Sequence, residues 1–325
     1  MARRLASQPT GESLGEASGR PGAQRAGHQW SPAAIVRSIR PRQWLKNLLV
    51  LVAPAAAGRL GHGATFGRSV AALAIFSAVA SGLYLLNDVV DIEADRLHPR
   101  KRHRPVPSGQ VSVAMALSVG SVLVGAGLAS AWLLAGWRLF VVMALYLAIS
   151  VAYSLWVKSL AVVELASVAA GFVLRAIAGG VATNLPLSDW FLAVTSFSAL
   201  FIVTGKRFAE HRTLGTQRGG HRTVLGEYTP SFLQSTLTLT ATAAVTTYCL
   251  WAFDHSGTGL GSPHAGHDTI WIQLTVVPFA LAVLHVLRVL DAGGGEAPED
   301  LAVHDRWLQG FGAVWVVLFL VGIYA

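Results

Sequence analysis

The stretch "SVAALAIFSAVASGLYLLNDVVDIEADRLHPRKRHRPVPSG", residues 69–109, passes directly from an apolar run into acids and then into bases. About 20 consecutive apolar residues suffice for an α-helix to cross the hydrocarbon core of a bilayer. Four acids follow at the end of the run, and Lys and Arg residues crowd the next ten positions. The stretch therefore predicts a membrane-spanning helix that ends in a charged face at one membrane surface.

The composition of the whole chain favours a membrane protein. Of its 325 residues, 53% are hydrophobic and only 13% are charged, whereas soluble domains carry about 25% charged residues. The net charge of +8 could suit nucleic acid, but the bases cluster between apolar runs, where they set topology and contact lipid phosphates. We therefore expect a membrane-embedded protein with no nucleic-acid partner. The single cysteine, Cys249, excludes a disulfide within one chain.

Nine apolar stretches are each long enough to span a bilayer. They predict an all-α, polytopic bundle of about nine transmembrane helices over a domain at 35–325. Residues 1–34 are basic and lack the apolar core of a signal peptide, so they predict a disordered cytoplasmic tail. The nine predicted spans are 44–60, 68–88, 111–135, 138–157, 160–182, 188–206, 231–253, 269–290 and 307–325.

The connections between these spans alternate in charge. Most of the 25 Lys and Arg residues fall in one set of connections, and the other set contains only Arg59, Arg68 and Arg138. Basic loops remain on the cytoplasmic side. This asymmetry predicts a multi-pass protein of the cell membrane with a cytoplasmic N-terminus and an external C-terminus. It also places the acids after the second span on the cytoplasmic side. The base-rich run 96–104 is interpreted as a topology determinant and loop; the alternative is that Arg100 and Arg104 close over substrate phosphates.

The acids at the end of the second span predict a metal site. On a continuous helix, Asp88, Asp91 and Asp95 would share one face, because residues three, four and seven apart are neighbours. Like charges repel there unless a cation lies among them, and Mg²⁺ is usually held by one or two carboxylates together with substrate phosphates. Glu93 would point elsewhere. The alternative is a helix end that enters a solvated loop.

The segment "NDVVDIEAD" (87–95) matches the NDxxDxxxD signature of the UbiA-type prenyltransferase superfamily, and "RPRQWLKN" (40–47) also resembles that family. The resemblance covers about residues 35–325 and implies an all-helical membrane enzyme, usually of nine spans. It implies that Asp88 and Asp91 are catalytic, that Asp88, Asp91 and Asp95 are ligands of a Mg²⁺ cofactor, and that Asn87 contacts substrate.

The segment "FIVTGKRFAEHR" (201–212) departs from members that prenylate aromatic rings. Those members carry a second motif, DxxxD, here, whereas this chain offers Lys206, Arg207 and Glu210. Extra cations suit extra phosphate groups. This segment, "GFVLRAIAGGVATNLPLS" (171–188) and "VLGEYTPSFL" (224–233) resemble a branch that joins phosphoribosyl pyrophosphate to decaprenyl phosphate for cell-wall arabinan. That resemblance implies both compounds as substrates. The alternative is prenyl transfer from a prenyl diphosphate to an aromatic acceptor.

Further polar residues at span ends or within spans are candidate substrate contacts. Each has a plain structural alternative: a snorkelling lysine, an interfacial anchor, or a structural pair. Glu164 and Arg175 lie eleven residues apart in one predicted span, so they should share a helix face. Together with Lys206, Arg207 and Glu210, the candidate substrate-binding residues are Lys46, Asn47, Asn87, Tyr153, Lys158, Glu164 and Arg175.

Two other hypotheses are weaker. A transporter would carry its charges along a path through the membrane, but these charges cluster on the cytoplasmic side. The histidines of the loop 255–268 imitate a metal site, but they lie on the opposite side from the acids, so we expect a solvated external loop. A separate question is the oligomeric state: the sequence is compatible with a homo-oligomer.

Overall fold

The computed structural model describes residues 31–99, 101–214, 226–254, 269–294, 301 and 304–324. Within these ranges every regular element is helical. The predicted tail falls mostly on residues 1–30, and the histidine-rich loop on 255–268; both lie outside the described residues. The first described helix begins at Pro32, shortly before the domain start that we predicted at residue 35.

The chain enters the bundle through irregular helical structure. Helix α1 (Pro32–Ser38) leads into a 3₁₀ segment, Pro41–Leu51, and then into the short helix α2 (Val52–Ala56). The predicted span 44–60, which Pro54 interrupts, therefore consists of 3₁₀ and short α-helical pieces and not of one regular helix. The 3₁₀ segment packs so closely on a later helix that a Cβ at Gly179 would lie 1.8 Å from the Val50 carbonyl oxygen. Only glycine permits this approach.

The second predicted span is helix α3 (Gly63–Val90), which is followed by α4 (Ile92–Leu97) and a 3₁₀ turn, Lys101–His103. Next comes a helical run of 43 residues, α5 (Val113–Leu155). At 1.5 Å per residue it would be roughly 65 Å long if straight, about twice the thickness of a bilayer core. Non-helical backbone at Ala135 and Gly136, with φ of 66° at Gly136, divides the run.

Helix α5 therefore contains two antiparallel arms. Near its start, Val111 and Ala116 pack with Leu85 of α3. Just beyond its end, Lys158 reaches Asp91, which directly follows α3. Because both ends of α5 lie beside the same end of α3, the chain reverses at residues 135–136. The separate spans predicted at 111–135 and 138–157 correspond to these two arms.

The second half of the bundle continues with a 3₁₀ turn (Val157–Ser159), α6 (Val163–Thr183), α7 (Asp189–Leu214) and α8 (Pro230–Asp254). Helices α9 (Thr269–Leu274), α10 (Val276–Asp291) and α11 (Arg306–Tyr324) complete it. Among the described residues, seven helices are long and apolar enough to cross a membrane, and α5 is one of them. A polytopic helical membrane bundle is confirmed, while the count of nine spans stays a prediction.

Helix α6 lies at the centre of the bundle. One face packs with α3 and α5 around Phe76, Met143 and Leu174. Another packs with α7, α8 and α10 around Phe201, Leu237 and Leu290. Side chains of α6 can therefore meet partners from both halves of the bundle, and this position brings the candidate site together.

Candidate active site

The acidic motif lies where α3 ends, and the backbone changes direction there. Asp91 lies between α3 and α4, with φ −90° and ψ 9°. Asp88 and Asp95 are buried, whereas the Asp91 side chain is 37% exposed and faces Lys158. The expected single stripe of three acids is therefore broken at its middle member. Mutual repulsion of the carboxylates, and their position at the negative end of the α3 dipole, favour this break.

Each of the three carboxylates has a basic partner. Asp88 pairs with Arg40 and, through Oδ1 at 3.3 Å, with Arg104 Nη1. The same Arg104 nitrogen lies 2.6 Å from Asp95 Oδ2. Lys101 Nζ lies 3.5 Å from Asp95 Oδ1, and Lys158 Nζ lies 3.4 Å from Asp91 Oδ1. We call this group, made of Arg40, Asp88, Asp91, Asp95, Lys101, Arg104 and Lys158, the acidic cluster.

The geometry of the acidic cluster fits a divalent cation in part. Among the described residues, no three acidic, histidine or cysteine side chains converge on one point. Asp88 and Asp95, however, both reach one guanidinium nitrogen of Arg104. A positive group already lies between these two carboxylates, and Mg²⁺ usually needs only one or two carboxylates besides substrate phosphates. The predicted ligands therefore fit Mg²⁺ as a pair, with Asp91 further out and Asn87 half-buried in the last turn of α3.

A second group of charges joins α5, α6 and α7. Arg207 donates from Nε to Glu164 Oε1 at 2.7 Å and from Nη2 to Glu164 Oε2 at 2.8 Å. Its Nη1 lies 2.6 Å from Glu210 Oε2, and its Nη2 donates to the Tyr153 hydroxyl at 3.4 Å. The Tyr228 hydroxyl donates to Glu164 Oε1 at 3.3 Å. We call Tyr153, Glu164, Arg207, Glu210 and Tyr228 the buried ion-pair cluster.

Two features around this cluster matter for its chemistry. Tyr228 lies outside the membrane-spanning segments, and burial raises its pKa, so its phenol stays protonated and able to donate at neutral pH. Lys206 is half-buried next to Arg207. Within the described ranges its ammonium group has no ion-pair partner.

A third group lies deeper in the bundle. Arg175 donates from Nε to Asn47 Oδ1 at 2.8 Å, from Nη1 to the Gly171 carbonyl at 2.5 Å, and from Nη2 to the Tyr146 hydroxyl at 3.2 Å. Asn47 in turn donates to Ser77 Oγ at 3.0 Å. Glu164 and Arg175 therefore belong to different clusters, about three helical turns apart, and each is satisfied by protein groups. Lys46 is half-buried beside Asn47.

The structure also adds site residues that the sequence did not single out. Arg40 lies between α1 and the 3₁₀ segment, with a φ of 51°, and its guanidinium covers the Tyr84 ring at 4.8 Å. Arg104 is not new in this sense: it belongs to the basic run that we interpreted mainly as a topology determinant, with Arg100 and Arg104 as candidate phosphate contacts; Arg100 lies outside the described residues. Its place between Asp88 and Asp95 is known only from the three-dimensional structure. In the same loop, Arg96 donates to the Pro107 carbonyl.

Comparison with known proteins identifies the family. A sequence model of the UbiA prenyltransferase family matches residues 48–322. The chain belongs to the UbiA prenyltransferase family. The matched region includes the three aspartates of the acidic cluster and the whole buried ion-pair cluster, while Arg40 lies before it.

Curated members of the family resemble the chain along nearly its whole length. It is 42% identical over 290 residues to the decaprenyl-phosphate phosphoribosyltransferase of Mycobacterium tuberculosis, covering 87% of this chain and 92% of the relative. It is 40% identical over 298 residues to the enzyme of that name from Mycolicibacterium smegmatis, covering 90% and 93%.

A solved structure with the same fold is a UbiA homolog from Archaeoglobus fulgidus bound to GPP and Mg²⁺. Its TM-score is 0.64 at 19% identity, and the alignment covers 89% of this chain and 98% of the homolog. At this identity the likeness establishes the fold.

Proposed function

We propose that the protein transfers a 5-phosphoribosyl group from phosphoribosyl pyrophosphate to a polyprenyl phosphate, with decaprenyl phosphate as the acceptor and release of pyrophosphate. The main support is the identity of 40–42% to decaprenyl-phosphate phosphoribosyltransferases over nearly the full length of both chains. The cations on α7 provide a second, physical support, because a donor and an acceptor that both carry phosphate need more positive charge than a prenyl diphosphate alone.

We assign Asp88 and Asp91 as the catalytic acids and, with Asp95, as the residues that would hold Mg²⁺. When bound, Mg²⁺ supplies a Lewis acid that neutralises charge on the departing pyrophosphate. Asn87, in the last turn of α3, would add an amide oxygen or a hydrogen-bond donor for the donor's phosphates. Asp91 is the most accessible of the acids, so it is the one placed to meet an incoming ligand first.

The basic side chains of the acidic cluster would bind the donor's phosphates. Arg40, Arg104 and Lys158 now pair with the three aspartates. A donor that arrives with a metal ion offers these cations new oxygen partners while the carboxylates turn to the metal. Charge-assisted hydrogen bonds of this kind are about twice as strong as neutral ones, so the exchange need not cost binding energy.

The reaction itself needs little proton transfer. The bond between C1 of the ribose and the pyrophosphate oxygen breaks, and a bond between C1 and an oxygen of the lipid phosphate forms. A phosphate dianion has no proton to lose, so the side chains contribute orientation and charge stabilisation. Lys206 and Lys46 are positioned near the same end of the bundle, and we assign them to phosphate contacts.

The other predicted substrate residues fit an indirect role better. Both oxygens of Glu164 are bound by Arg207, so direct contact with ribose would require Glu164 to leave its ion pair. We propose that Tyr153, Glu164, Arg207 and Glu210 form one wall of the pocket. The Asn47–Arg175 pair would fix the irregular first segment on α6, which keeps Lys46 at the edge of the site.

We also propose that the site faces the cytoplasm of the cell. The clusters lie at the end of the bundle where the base-rich connections are, and basic connections remain cytoplasmic. A reporter fused after Ala325 should be external, while one inserted near Gly219 should be cytoplasmic. Both reporters on one side would contradict the nine-span topology.

The deciding experiment uses membranes that contain the protein, labelled phosphoribosyl pyrophosphate, decaprenyl phosphate and Mg²⁺. Labelled lipid and free pyrophosphate should appear together. A parallel reaction with a prenyl diphosphate and an aromatic acid tests the alternative. Product in the second reaction and none in the first would refute the phosphoribosyl assignment and leave the family membership intact.

A further inference from the structure

The backbone just before α6 is held in a strained turn. Val162 has a φ of 67° and a ψ of −49°, and the Val163 N–H donates to the Ala161 carbonyl at 2.7 Å. These values describe a γ-turn of the rare, strained kind. A β-branched residue with positive φ is a real outlier, and such strain persists only where the surroundings enforce it. The Val162 side chain is 54% exposed, so its own packing does not enforce the turn.

The hydroxyl group of Tyr228 holds this turn. It accepts the Val162 N–H at 3.0 Å and donates to Glu164 Oε1 at 3.3 Å. The Tyr228 ring is buried and stacks on Phe232 at a centroid distance of 5.8 Å, so the position of the hydroxyl is fixed by packing. One oxygen therefore ties the connection between α7 and α8 to the first turn of α6.

The turn connects the two charged clusters along the chain. Lys158 stands on its near side and pairs with Asp91 of the acidic cluster. Glu164 stands on its far side and anchors the buried ion-pair cluster. The residues between them, 159–163, contain the γ-turn, and Lys158 itself lies in the 3₁₀ turn Val157–Ser159 just before it.

We propose that Tyr228 is a positioning residue of the site: its hydroxyl fixes the γ-turn at Val162 and thereby places Lys158 beside Asp91 for contact with the phosphoribosyl donor. This inference rests on the proposed function for the identity of the donor. The structural link between Tyr228 and Lys158 does not depend on the proposed function, because the mobility of residues 157–164 can be measured without any substrate.

The test is Tyr228→Phe, which keeps the stacked ring and removes only the hydroxyl. We expect the KM for phosphoribosyl pyrophosphate to rise about five- to tenfold, the range for one lost buried hydrogen bond, with the KM for decaprenyl phosphate unchanged. Amide hydrogen exchange in residues 157–164 should become faster in the absence of substrate. The matched control is Tyr248→Phe, which removes a buried hydroxyl bonded to Thr275 and Trp315 and should change neither quantity.

A double mutant tests whether Tyr228 acts through Lys158. Once Lys158→Ala has removed the ammonium group, adding Tyr228→Phe should raise the donor KM by less than twofold further, because coupled residues are not additive. Full additivity would overturn the proposal, as would a Tyr228→Phe protein with wild-type exchange in 157–164. Absence of phosphoribosyl transfer in the wild type would refute the proposed function alone, since the exchange measurement still decides the link.

A second variant, Val162→Gly, tests the same link if the Tyr228→Phe protein does not fold stably enough to be expressed. Glycine adopts positive φ without strain, so Val162→Gly keeps the backbone N–H that bonds to Tyr228 and removes the valine side chain together with the strain. We expect its donor KM to stay within about twofold of the wild-type value. A rise as large as that expected for Tyr228→Phe would show that the valine side chain, and not the tyrosine hydroxyl, positions Lys158, and would overturn the proposal.

Discussion

The acidic cluster and the buried ion-pair cluster contain the same kinds of groups but differ in how their cations are held. The cations of the acidic cluster, Arg40, Lys101, Arg104 and Lys158, are between 28% and 45% exposed and come from connections between helices. In the other cluster Arg207 is 5% exposed and Glu164 is 0% exposed, and both belong to long helices. Exposed partners on connections can change partners when a ligand arrives, whereas a bidentate pair between packed helices cannot do so without moving the helices. We propose that this difference separates the part of the site that binds substrate from the part that shapes the pocket.

The largest expected effect tests the binding side of this comparison. Asp88→Asn should lower kcat by about 10²–10³-fold, the scale found when a group that stabilises transition-state charge is removed. The protein should stay folded, because the Arg40 and Arg104 side chains that lose their partner are 28% and 32% exposed and can be solvated by water. Turnover by membranes and the unfolding temperature of the purified protein are the measurements.

The control for Asp88→Asn is Glu93→Gln in the same segment. The Glu93 side chain is 84% exposed and, among the described residues, pairs with Arg96 at 3.3 Å. Turnover by the Glu93→Gln variant should therefore match the wild type. Chelation of divalent cations should reproduce the Asp88→Asn result. Full turnover in a chelator, with no metal added back, would contradict the Mg²⁺ assignment.

The next effect tests the buried ion-pair cluster. Glu164→Gln should lower the free energy of unfolding by about 3–5 kcal/mol, because it leaves the buried Arg207 without its full charge partner. Thermal unfolding in detergent, followed by size-exclusion chromatography, measures the loss. Glu210→Gln is the matched control: its carboxylate also pairs with Arg207 but is 26% exposed, so a loss below about 1 kcal/mol is expected. Equal losses in the two variants would mean that burial does not distinguish them.

For Lys206, the expected effect is smaller than the effects for Asp88 and Glu164. If it contacts donor phosphate, Lys206→Ala removes a charge-assisted hydrogen bond of about 1.5–3 kcal/mol, which corresponds to roughly a 10- to 150-fold loss in kcat/KM for the donor. Thermal stabilisation by phosphoribosyl pyrophosphate with Mg²⁺ should weaken in parallel. Arg288→Ala on α10 makes the same change of charge at an exposed position and should leave both quantities unaltered. Stabilisation by a prenyl diphosphate alone would favour the aromatic alternative.

The smallest effect concerns a half-buried pair, His285 and Asp305, whose side chains are 10% and 19% exposed. The Asp305 carboxylate accepts a hydrogen bond from His285 and caps α11 through the Leu308 N–H, and these bonds lower the pKa of Asp305. A carboxyl whose pKa is lower in the folded state adds stability above its unfolded pKa of about 3.9, and that stability is lost as the pH falls through the folded value. The unfolding temperature of Asp305→Asn should therefore approach that of the wild type below pH 4. A constant difference from pH 7 to pH 3 would contradict the assigned cause.

Much of the site could be predicted from single segments. The aspartates of "NDVVDIEAD" were found because three acids at the end of an apolar span have few explanations besides a ligand. Lys158, Lys206 and Arg207 were found because charged residues at span ends stand out against an apolar background. The division of α5 at Gly136 also followed from the sequence, since no helix of that length fits one bilayer crossing.

Other features could not be predicted from segments of the sequence. Arg40 and Asp88 are 48 residues apart, and Tyr228 and Glu164 are 64 apart, so no local pattern connects them. The same holds for the hydrogen bond from Arg175 to Asn47, 128 residues away. Because of this bond, two predicted substrate contacts belong to a separate group whose hydrogen bonds are made within the protein. The bend at Asp91 was missed because helical periodicity assumes a straight helix.

The sequence by itself determined that the chain is a helical membrane protein and where its acids meet the membrane surface. Backbone N–H and C=O groups in hydrocarbon must be satisfied within each segment, so a long apolar run has to be helical whatever its neighbours are. Only the tertiary structure decided which charge pairs with which, because a side chain's partner depends on the approach of two helices. That approach is set by contacts such as Gly179 on the backbone of Val50 and Gly82 beside the Gly120 carbonyl. The chemical groups could therefore be identified along the chain, whereas the packing of the helices divided them into the acidic cluster and the buried ion-pair cluster.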